Sequence, residues 1–236
     1  MKTVCSLVTK SPYVLSVCLL AMLIGEATIV QAQAQTKDRV QLGVYFLTVV
    51  PRGEFSENLT NNSYGAGVQG LVRIGPSPFL VGGDLALVIY GYESRRDPTI
   101  PDRVTTSNFI FVPHFVVRAQ PRSGFIRPYV DGLIGLKYLW TETSIPDISV
   151  DEGAVNDINL SDTAFSYGVG GGLQISPTKE RESRFMLDIG VRYLRGGRAE
   201  YLREGSIRDV NGTLVYDVFS SRTDVLAVHV GVTVHF

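Results

Sequence analysis

The sequence predicts an all-β protein, a closed antiparallel eight-stranded transmembrane up-and-down β-barrel with four long outer loops. Three observations predict this fold. Apolar residues alternate with small or polar ones in long runs, the breaks between the runs alternate in length, and charged residues share the face opposite the bulky apolar one. Together these observations favour strands that cross a bilayer over strands of a soluble sheet.

Eight runs of period-two alternation follow one another from residue 40 onward. Alternation of this period is the signature of a strand with two different faces. The runs exceed the usual strand length of about 5–6 residues and match the about 9–11 residues that a tilted strand needs to cross a bilayer. They cover residues 40–50, 64–75, 80–90, 108–119, 126–140, 164–175, 184–194 and 224–236.

The breaks between these runs alternate between short and long. Short turns on one rim and long polar loops on the other are typical of outer-membrane barrels. Because an unpaired backbone N–H or C=O costs several kcal/mol in hydrocarbon, we expect the first run to pair with the last. The short breaks are residues 76–78, 120–124 and 176–183, and the long ones are 51–63, 91–107, 141–163 and 195–223.

Charges of both signs and glycines occupy the face opposite the bulky apolar residues. Eight strands enclose room only for side chains. Enclosed charges must be paired or neutralised, so we expect a plug of ion pairs inside the barrel. A narrow channel for small solutes, lined by the same residues, is the alternative. The predicted lumen charge network consists of Arg73, Asp84, Arg118, Arg127, Asp131, Lys137, Asp188 and Arg192.

The first 34 residues have the pattern of a secretory signal peptide. Lys2 and Lys10 form a positive n-region before an apolar run at residues 13–25, and residues 32–34 read Ala-Gln-Ala, a cleavage site. We therefore expect residues 1–34 to be removed and residues 35–236 to form the barrel domain. Both cysteines, Cys5 and Cys18, belong to the removed segment, so no disulfide is expected. No later apolar stretch is long enough for a transmembrane helix, and the formal net charge of −1 does not suggest a nucleic-acid partner.

Four segments carry motifs beyond simple alternation: residues 127–135, 167–172, 187–194 and 228–236. In the last of them alternate valines lead to an aromatic end, which is similar to the terminal signal read by the barrel assembly machinery. The other three look like the sixth strand and parts of the fifth and seventh strands of the small porin-like outer-membrane barrels, so the chain resembles the opacity-protein and outer-membrane-protein-A-like family. The resemblance implies an eight-stranded barrel in the bacterial outer membrane, without the peptidoglycan-binding domain of some relatives. The assembly signal comprises Val228, Val230, Val232, Val234 and Phe236.

The three histidines, His114, His229 and His235, are the residues to consider for an enzyme activity. A resemblance to outer-membrane lipid A deacylases would require a His-x-Ser pair, but Phe115 and Val116 follow His114. Alternation points His114 and His229 inward, where a hydrogen-bonded lumen residue is the expectation. With no nucleophile–base–orienter set in the sequence, we predict no enzyme, no catalytic residue and no cofactor. A lipid-modifying enzyme remains the less favoured alternative.

The long loops carry the remaining candidates. The acidic third loop, with Asp147, Asp151, Glu152 and Asp157, lacks the EF-hand ligand spacing, so no metal site is predicted. An aromatic girdle is expected near the long-loop rim. Arginines there could meet anionic lipid headgroups as well as water. The girdle candidates are Tyr90, Tyr92, Tyr138, Trp140, Tyr193 and Tyr201, and the arginines are Arg95, Arg96, Arg103, Arg195, Arg198, Arg203, Arg208 and Arg222.

The sequence therefore predicts an outer-membrane protein that presents surface loops for envelope structure, adhesion or another surface interaction. The expected partners are outer-membrane lipid, the barrel assembly machinery and an extracellular partner that contacts the loops. A soluble ligand-binding barrel is the rival that would leave the chain outside the membrane.

Overall fold

Eight antiparallel strands close into a barrel in this computed structural model, which describes residues 39–59, 62–96, 103–145, 155–178, 184–202, 207–210 and 213–236. The barrel consists of β1–β7 and β12, and β1 pairs with β12, which confirms the predicted closed antiparallel barrel. In chain order the elements are β1 (Val40–Pro51), α1 (Glu54–Asn58), β2 (Ser63–Arg73), β3 (Phe79–Arg96), β4 (Arg103–Ala119), β5 (Ile126–Ile145), β6 (Val155–Ile175), β7 (Phe185–Gly196), β8 (Arg198–Tyr201), β9 (Ile207–Val210), β10 (Thr213–Tyr216), β11 (Phe219–Arg222) and β12 (Val225–His235).

The strand pairing fixes the tilt of the strands. When paired residues are followed once around the barrel from Arg195 on β7, the path returns to β7 at Phe185, ten residues away. A barrel with this stagger has strands tilted by about 35–45° from its axis. At that tilt a strand of about 9–11 residues crosses a bilayer, which the shorter strands of this barrel provide.

The bulky apolar side chains face outward and the charged ones face inward. Phe46 is 73% exposed and Val230 is 54% exposed, whereas Arg118 and Arg127 have no exposed surface. A soluble barrel would bury its apolar face, so this inverted polarity identifies lipid as the solvent outside. The arrangement confirms the predicted transmembrane barrel and its outer-membrane location.

Four neighbouring strands are longer than the sequence predicts. The strands β3, β4, β5 and β6 have 17 to 21 residues, whereas β1, β2, β7 and β12 have 11 or 12. The extra length lies at the long-loop rim, where β3 stays paired with β4 to Arg96 and Arg103. The prediction from alternation ended these strands earlier because the sequence shows no clear period of two over the extensions.

The first and fourth long breaks contain short elements where open loops are expected. The helix α1 lies in the first break, and the fourth contains two two-stranded sheets, β8 with β11 and β9 with β10. The strands β8 and β11 follow β7 and precede β12, so they continue that side of the barrel outward. Elements of four or five residues are too short to produce a periodic signal in the sequence.

The predicted polar lumen is only partly correct. Toward the long-loop rim the inward side chains are apolar, and they form a buried cluster. The prediction failed because the strands are apolar on both faces there, and alternation cannot then assign a face. The cluster contains Leu47, Val49, Ala86, Val88, Ile110, Val112, Leu139, Leu194, Val225 and Ala227, among others.

The predicted signal peptide, residues 1–34, lies outside the described residues and stays a prediction, as does its boundary with the barrel domain. None of the helices in the described part of the chain is both long and apolar enough to cross a membrane.

Candidate functional site

The lumen is the candidate site, because it holds all eight residues of the predicted charge network. Each of them is at most 6% exposed. Strand alternation alone explains the placement, since these side chains point away from lipid at every second position. Five are cationic and three are anionic, so ion pairing within the set cannot be complete. The eight are Arg73, Asp84, Arg118, Arg127, Asp131, Lys137, Asp188 and Arg192.

The strongest ion pair of the lumen joins two directly opposed residues on neighbouring strands. Arg118 of β4 is paired in register with Asp131 of β5. Its Nε and Nη2 donate to the two carboxylate oxygens at 2.7 and 2.8 Å. The guanidinium also lies 3.7 Å from the centre of the Tyr129 ring, and its Nη1 is 3.8 Å from Asp188. This bidentate geometry is the strong form of an arginine–carboxylate contact.

A second ion pair crosses the lumen from β3 to β7. Arg192 Nη1 lies 3.0 Å from both oxygens of Asp84. The same carboxylate accepts hydrogen bonds from the Tyr45 hydroxyl at 2.7 Å and from Gln69 Nε2 at 3.0 Å. This contact ties together strands on different sides of the barrel, so it braces the wall and fills the middle of the lumen.

The third carboxylate, Asp188, is held mainly by neutral donors. The Tyr129 hydroxyl donates to it at 2.6 Å and Gln174 Nε2 donates at 2.9 Å. His229 Nε2 lies 3.5 Å away, and Thr233 donates through its hydroxyl at 3.3 Å. Several donors around one carboxylate compensate for the water that burial removes.

Two of the remaining cations, Arg73 and Arg127, bind uncharged acceptors at the short-turn end of the lumen. Arg73 Nη1 donates to the backbone oxygen of Gln120 at 3.2 Å. Arg127 donates through Nε to the backbone oxygen of Gly124 at 3.3 Å, and its Nη1 lies 3.0 Å from His235 Nδ1. Carbonyl and imidazole acceptors therefore take part in binding these guanidinium groups, which the prediction of ion pairs alone did not foresee.

Lys137 is the fifth cation, and it lies in the outer half of the lumen. Its Nζ donates to the backbone oxygen of Thr223, just before β12. The contact links β5 to the segment between β11 and β12. It joins the wall of the barrel to the outer elements.

A chain of amides closes the short-turn end, and sequence reasoning missed most of it. Gln41 donates to Gln120 at 2.8 Å, and Gln120 donates to Gln174 at 2.8 Å. Gln174 in turn lies 3.0 Å from His235 Nε2 and donates to Asp188. Alternation along β1 and β12 could have placed Gln41 and His235 in the lumen. Gln120 follows the end of β4, where alternation stops.

The histidines of the lumen make hydrogen bonds, and one of them meets a serine. His114 Nε2 lies 3.0 Å from the Ser166 hydroxyl, although β5 separates their strands. The ring crosses β5 above Gly135, where an added Cβ would come within 2.9 Å of the imidazole. Asp84 is opposite His114 in register, but Tyr45, Gln69 and Arg192 already bind its oxygens. Both His114 and Ser166 are buried, so this pair braces the lumen and does not face an open cleft.

An aromatic cap closes the long-loop end of the lumen. Phe55 of α1 is 1% exposed and meets the Tyr201 ring edge-on, with centroids 5.1 Å apart. Tyr90 lies against both rings and donates through its hydroxyl to the backbone oxygen of Leu202 at 3.3 Å. Asn58 donates to the Tyr201 hydroxyl at 3.0 Å. The cap thus joins the first and fourth long breaks across the mouth of the barrel.

The predicted aromatic girdle is wrong for two of its residues. Tyr90 and Tyr201 belong to the cap and are buried. Tyr90 and Asp84 are separated by an even number of residues on β3, so alternation could have placed Tyr90 on the inward face. On the exterior, Trp140 stacks between Phe109 and Tyr138, with centroids 5.1 and 5.5 Å away. Tyr193 is also exterior, and the side chain of Tyr92 lies outside the described residues.

A cavity of about 30 Å³ lies between the cap and the charged middle of the lumen. It is large enough for one or two water molecules only. Leu47, Val88 and Phe55 line its outer part, and Asp84 and Arg192 are among the polar residues at its other side. This cavity is therefore too small to pass a solute.

The other predicted residues are placed as follows. The assembly-signal residues Val228, Val230, Val232, Val234 and Phe236 lie on the lipid-facing side of β12 and beyond its end. Arg195, Arg198 and Arg222 are exposed. The acidic residues Asp147, Asp151 and Glu152 lie outside the described residues, as does the side chain of Asp157 and those of Arg95, Arg96, Arg103, Arg203 and Arg208. Among the side chains that the structure describes, no group of His, Cys, Asp and Glu could hold a metal ion.

No protein-family model matches the sequence, and no curated protein matches it either. Solved structures do resemble the barrel. Neisserial surface protein A is 13% identical, with a TM-score of 0.47 over 86% of this chain and 100% of that one. Ail, the attachment invasion locus protein of Yersinia pestis, solved with the heparin analogue sucrose octasulfate, is 15% identical, with a TM-score of 0.45 over 86% and 100%.

The outer membrane protein OprG from Pseudomonas aeruginosa is 12% identical, with a TM-score of 0.42 over 86% of this chain and 98% of that one. At the level of the fold, the closed eight-stranded barrel confirms the predicted resemblance to small outer-membrane barrels. The strand pairing and the inverted polarity of this chain establish that fold independently of any neighbour.

Proposed function

We propose that this protein is an outer-membrane barrel that acts through its extracellular surface and does not act as a channel or an enzyme. The extension of β3, β4, β5 and β6 beyond the membrane carries this proposal. Four adjacent strands of 17 to 21 residues form a sheet that continues outward from one side of the barrel. Paired strands present side chains more rigidly than open loops do, which suits a surface for a binding partner.

The sealed lumen supports the same proposal. The aromatic cap closes one end, the amide chain closes the other, and two buried ion pairs fill the middle. Solutes would have to displace all three layers to pass. Recognition of the β12 residues by the assembly machinery stays a prediction, as does the identity of an extracellular partner.

Epitope insertion tests which rim faces outward. A tag placed between Arg96 and Arg103, in the connection of the β3–β4 hairpin, should bind antibody on intact cells. The matched control is the same tag in the short turn at residues 76–78, which should bind only after the outer membrane is permeabilised. If the control tag is accessible on intact cells and the hairpin tag is not, the proposed surface is on the wrong side.

Planar-bilayer recording of the purified full chain tests the sealed lumen. We expect no steady single-channel current. Regular conductance steps that persist after repurification would favour a narrow channel and contradict the proposal.

A further inference from the structure

The outward face of β7 ends in a single charged residue. From the short-turn rim, its outward side chains are Phe185, Leu187, Ile189, Val191 and Tyr193, all apolar or aromatic and all exposed. The next outward position is Arg195, one residue before the strand ends. An arginine that points outward at this height lies where the hydrocarbon of the outer leaflet gives way to headgroups.

Two tyrosines flank this arginine on the outer wall. Tyr193 is the preceding outward residue of β7, and Tyr167 of β6 is paired with Arg195 in register. All three side chains are exposed on the same outward face. The Phe165 ring lies 6.0 Å from the Tyr167 ring and adds to an apolar surround. The charge therefore lies beside aromatic neighbours on two strands.

Arg195, Tyr167 and Tyr193 together carry more hydrogen-bond donors than acceptors. A guanidinium carries five N–H donors and no acceptor, and each phenol has one O–H to donate. Among the residues that the structure describes, the carboxylates that form salt bridges pair with cations other than Arg195. Three donor groups thus lie side by side on the exposed outer wall.

We propose that Arg195, Tyr167 and Tyr193 form a binding site for the phosphate of an outer-leaflet lipid headgroup. A guanidinium matches the oxygens of a phosphate with two parallel hydrogen bonds. The phenols supply one further hydrogen bond each. The acyl chains of the same lipid would lie along the apolar wall formed by Val191, Ile189 and Val169, which is exposed directly below. The site depends on the membrane location and is independent of the proposed surface interaction.

Native mass spectrometry of the refolded full chain in a non-ionic detergent tests this site. The probes are dimyristoyl phosphatidic acid, dimyristoylglycerol without phosphate, and inorganic phosphate. We expect phosphatidic acid to bind, Arg195→Gln to weaken it about tenfold, and the pair Tyr167→Phe with Tyr193→Phe to weaken it about threefold. Dimyristoylglycerol and inorganic phosphate should bind at least tenfold more weakly than phosphatidic acid.

The control variant is Arg52→Gln, which removes the same charge from another exposed position at the long-loop rim. It should leave binding unchanged. Equal losses in Arg52→Gln and Arg195→Gln would mean general charge attraction and overturn the site. Inorganic phosphate that binds as tightly as phosphatidic acid would overturn the lipid assignment, as would equal binding of dimyristoylglycerol. Heat-modifiable gel mobility reports folding, and if Arg195→Gln does not fold, the tyrosine pair decides the outcome.

Discussion

At the scale of single residues, burial separates ion pairs that matter for stability from those that do not. The Arg118–Asp131 pair is shielded from water and bidentate, whereas Arg198 meets Glu54 with both side chains largely exposed. Removing one partner of a buried pair leaves a charge without compensation and costs about 3–5 kcal/mol. An exposed pair contributes about 0–1 kcal/mol.

We therefore expect Arg118→Met to lower the free energy of unfolding by about 3–5 kcal/mol, because Asp131 would remain charged inside the lumen. The double variant Arg118→Met with Asp131→Leu should recover most of that loss. Urea unfolding in lipid vesicles measures both, with Glu54→Gln as the control for an exposed pair. A double variant no more stable than the single one would show that the pair itself is not the source of the effect.

At the scale of elements, the cap is a separate layer on top of the barrel. Its aromatic contacts come from α1, β3 and β8, so three distant segments meet at the Phe55 ring. We expect Phe55→Ala to increase amide hydrogen exchange in α1, β8 and β11 by at least tenfold, because the ring anchors them. The barrel strands should keep their protection, since their ladders are independent of the cap.

The control for this change is Phe46→Ala, which removes the same atoms from a side chain that is 73% exposed on the lipid-facing wall. It should leave exchange in the cap unchanged. Phe55→Ala alone should not produce conductance, because the ion pairs below the cap remain. Unchanged exchange of the β8 amides in Phe55→Ala would contradict the anchoring role of the ring.

Elements differ in how far the sequence predicts them, and the reasons are physical. The eight barrel strands were predictable because lipid outside and charge inside make the two faces chemically distinct. The helix α1 was not, because five residues contain barely more than one helical turn. Tyr201 was misplaced because Gly197 lies between β7 and β8, and parity does not carry across such a break.

The lumen contacts were predictable in kind but not in detail. Parity places Arg118 and Asp131 inside, yet their pairing depends on the register of β4 against β5, and sequence alternation does not fix register between strands. The contact of His114 with Ser166 depends in addition on the missing side chain of Gly135. Three-dimensional neighbours two strands apart leave no trace in local periodicity.

At the scale of the whole molecule, polarity is inverted about the barrel wall, and depth in the membrane should govern the cost of a charge on the outside. Ile189 lies near the middle of β7 and Phe185 begins it, and both side chains point outward. A charge at the bilayer midplane costs about 2–4 kcal/mol, and one near the interface costs about 0–1 kcal/mol.

We expect Ile189→Arg to lower the free energy of unfolding in lipid vesicles by about 2–4 kcal/mol and Phe185→Arg by about 1 kcal/mol or less. The two variants share a strand, a face and the introduced charge, so depth is the variable that separates them. The guanidinium of Phe185→Arg can reach water at the short-turn rim. The guanidinium of Ile189→Arg can be hydrated only if water enters the hydrocarbon. Equal losses of unfolding free energy in the two variants would mean that the outward face of β7 does not lie in a bilayer, because both charges would then be in water.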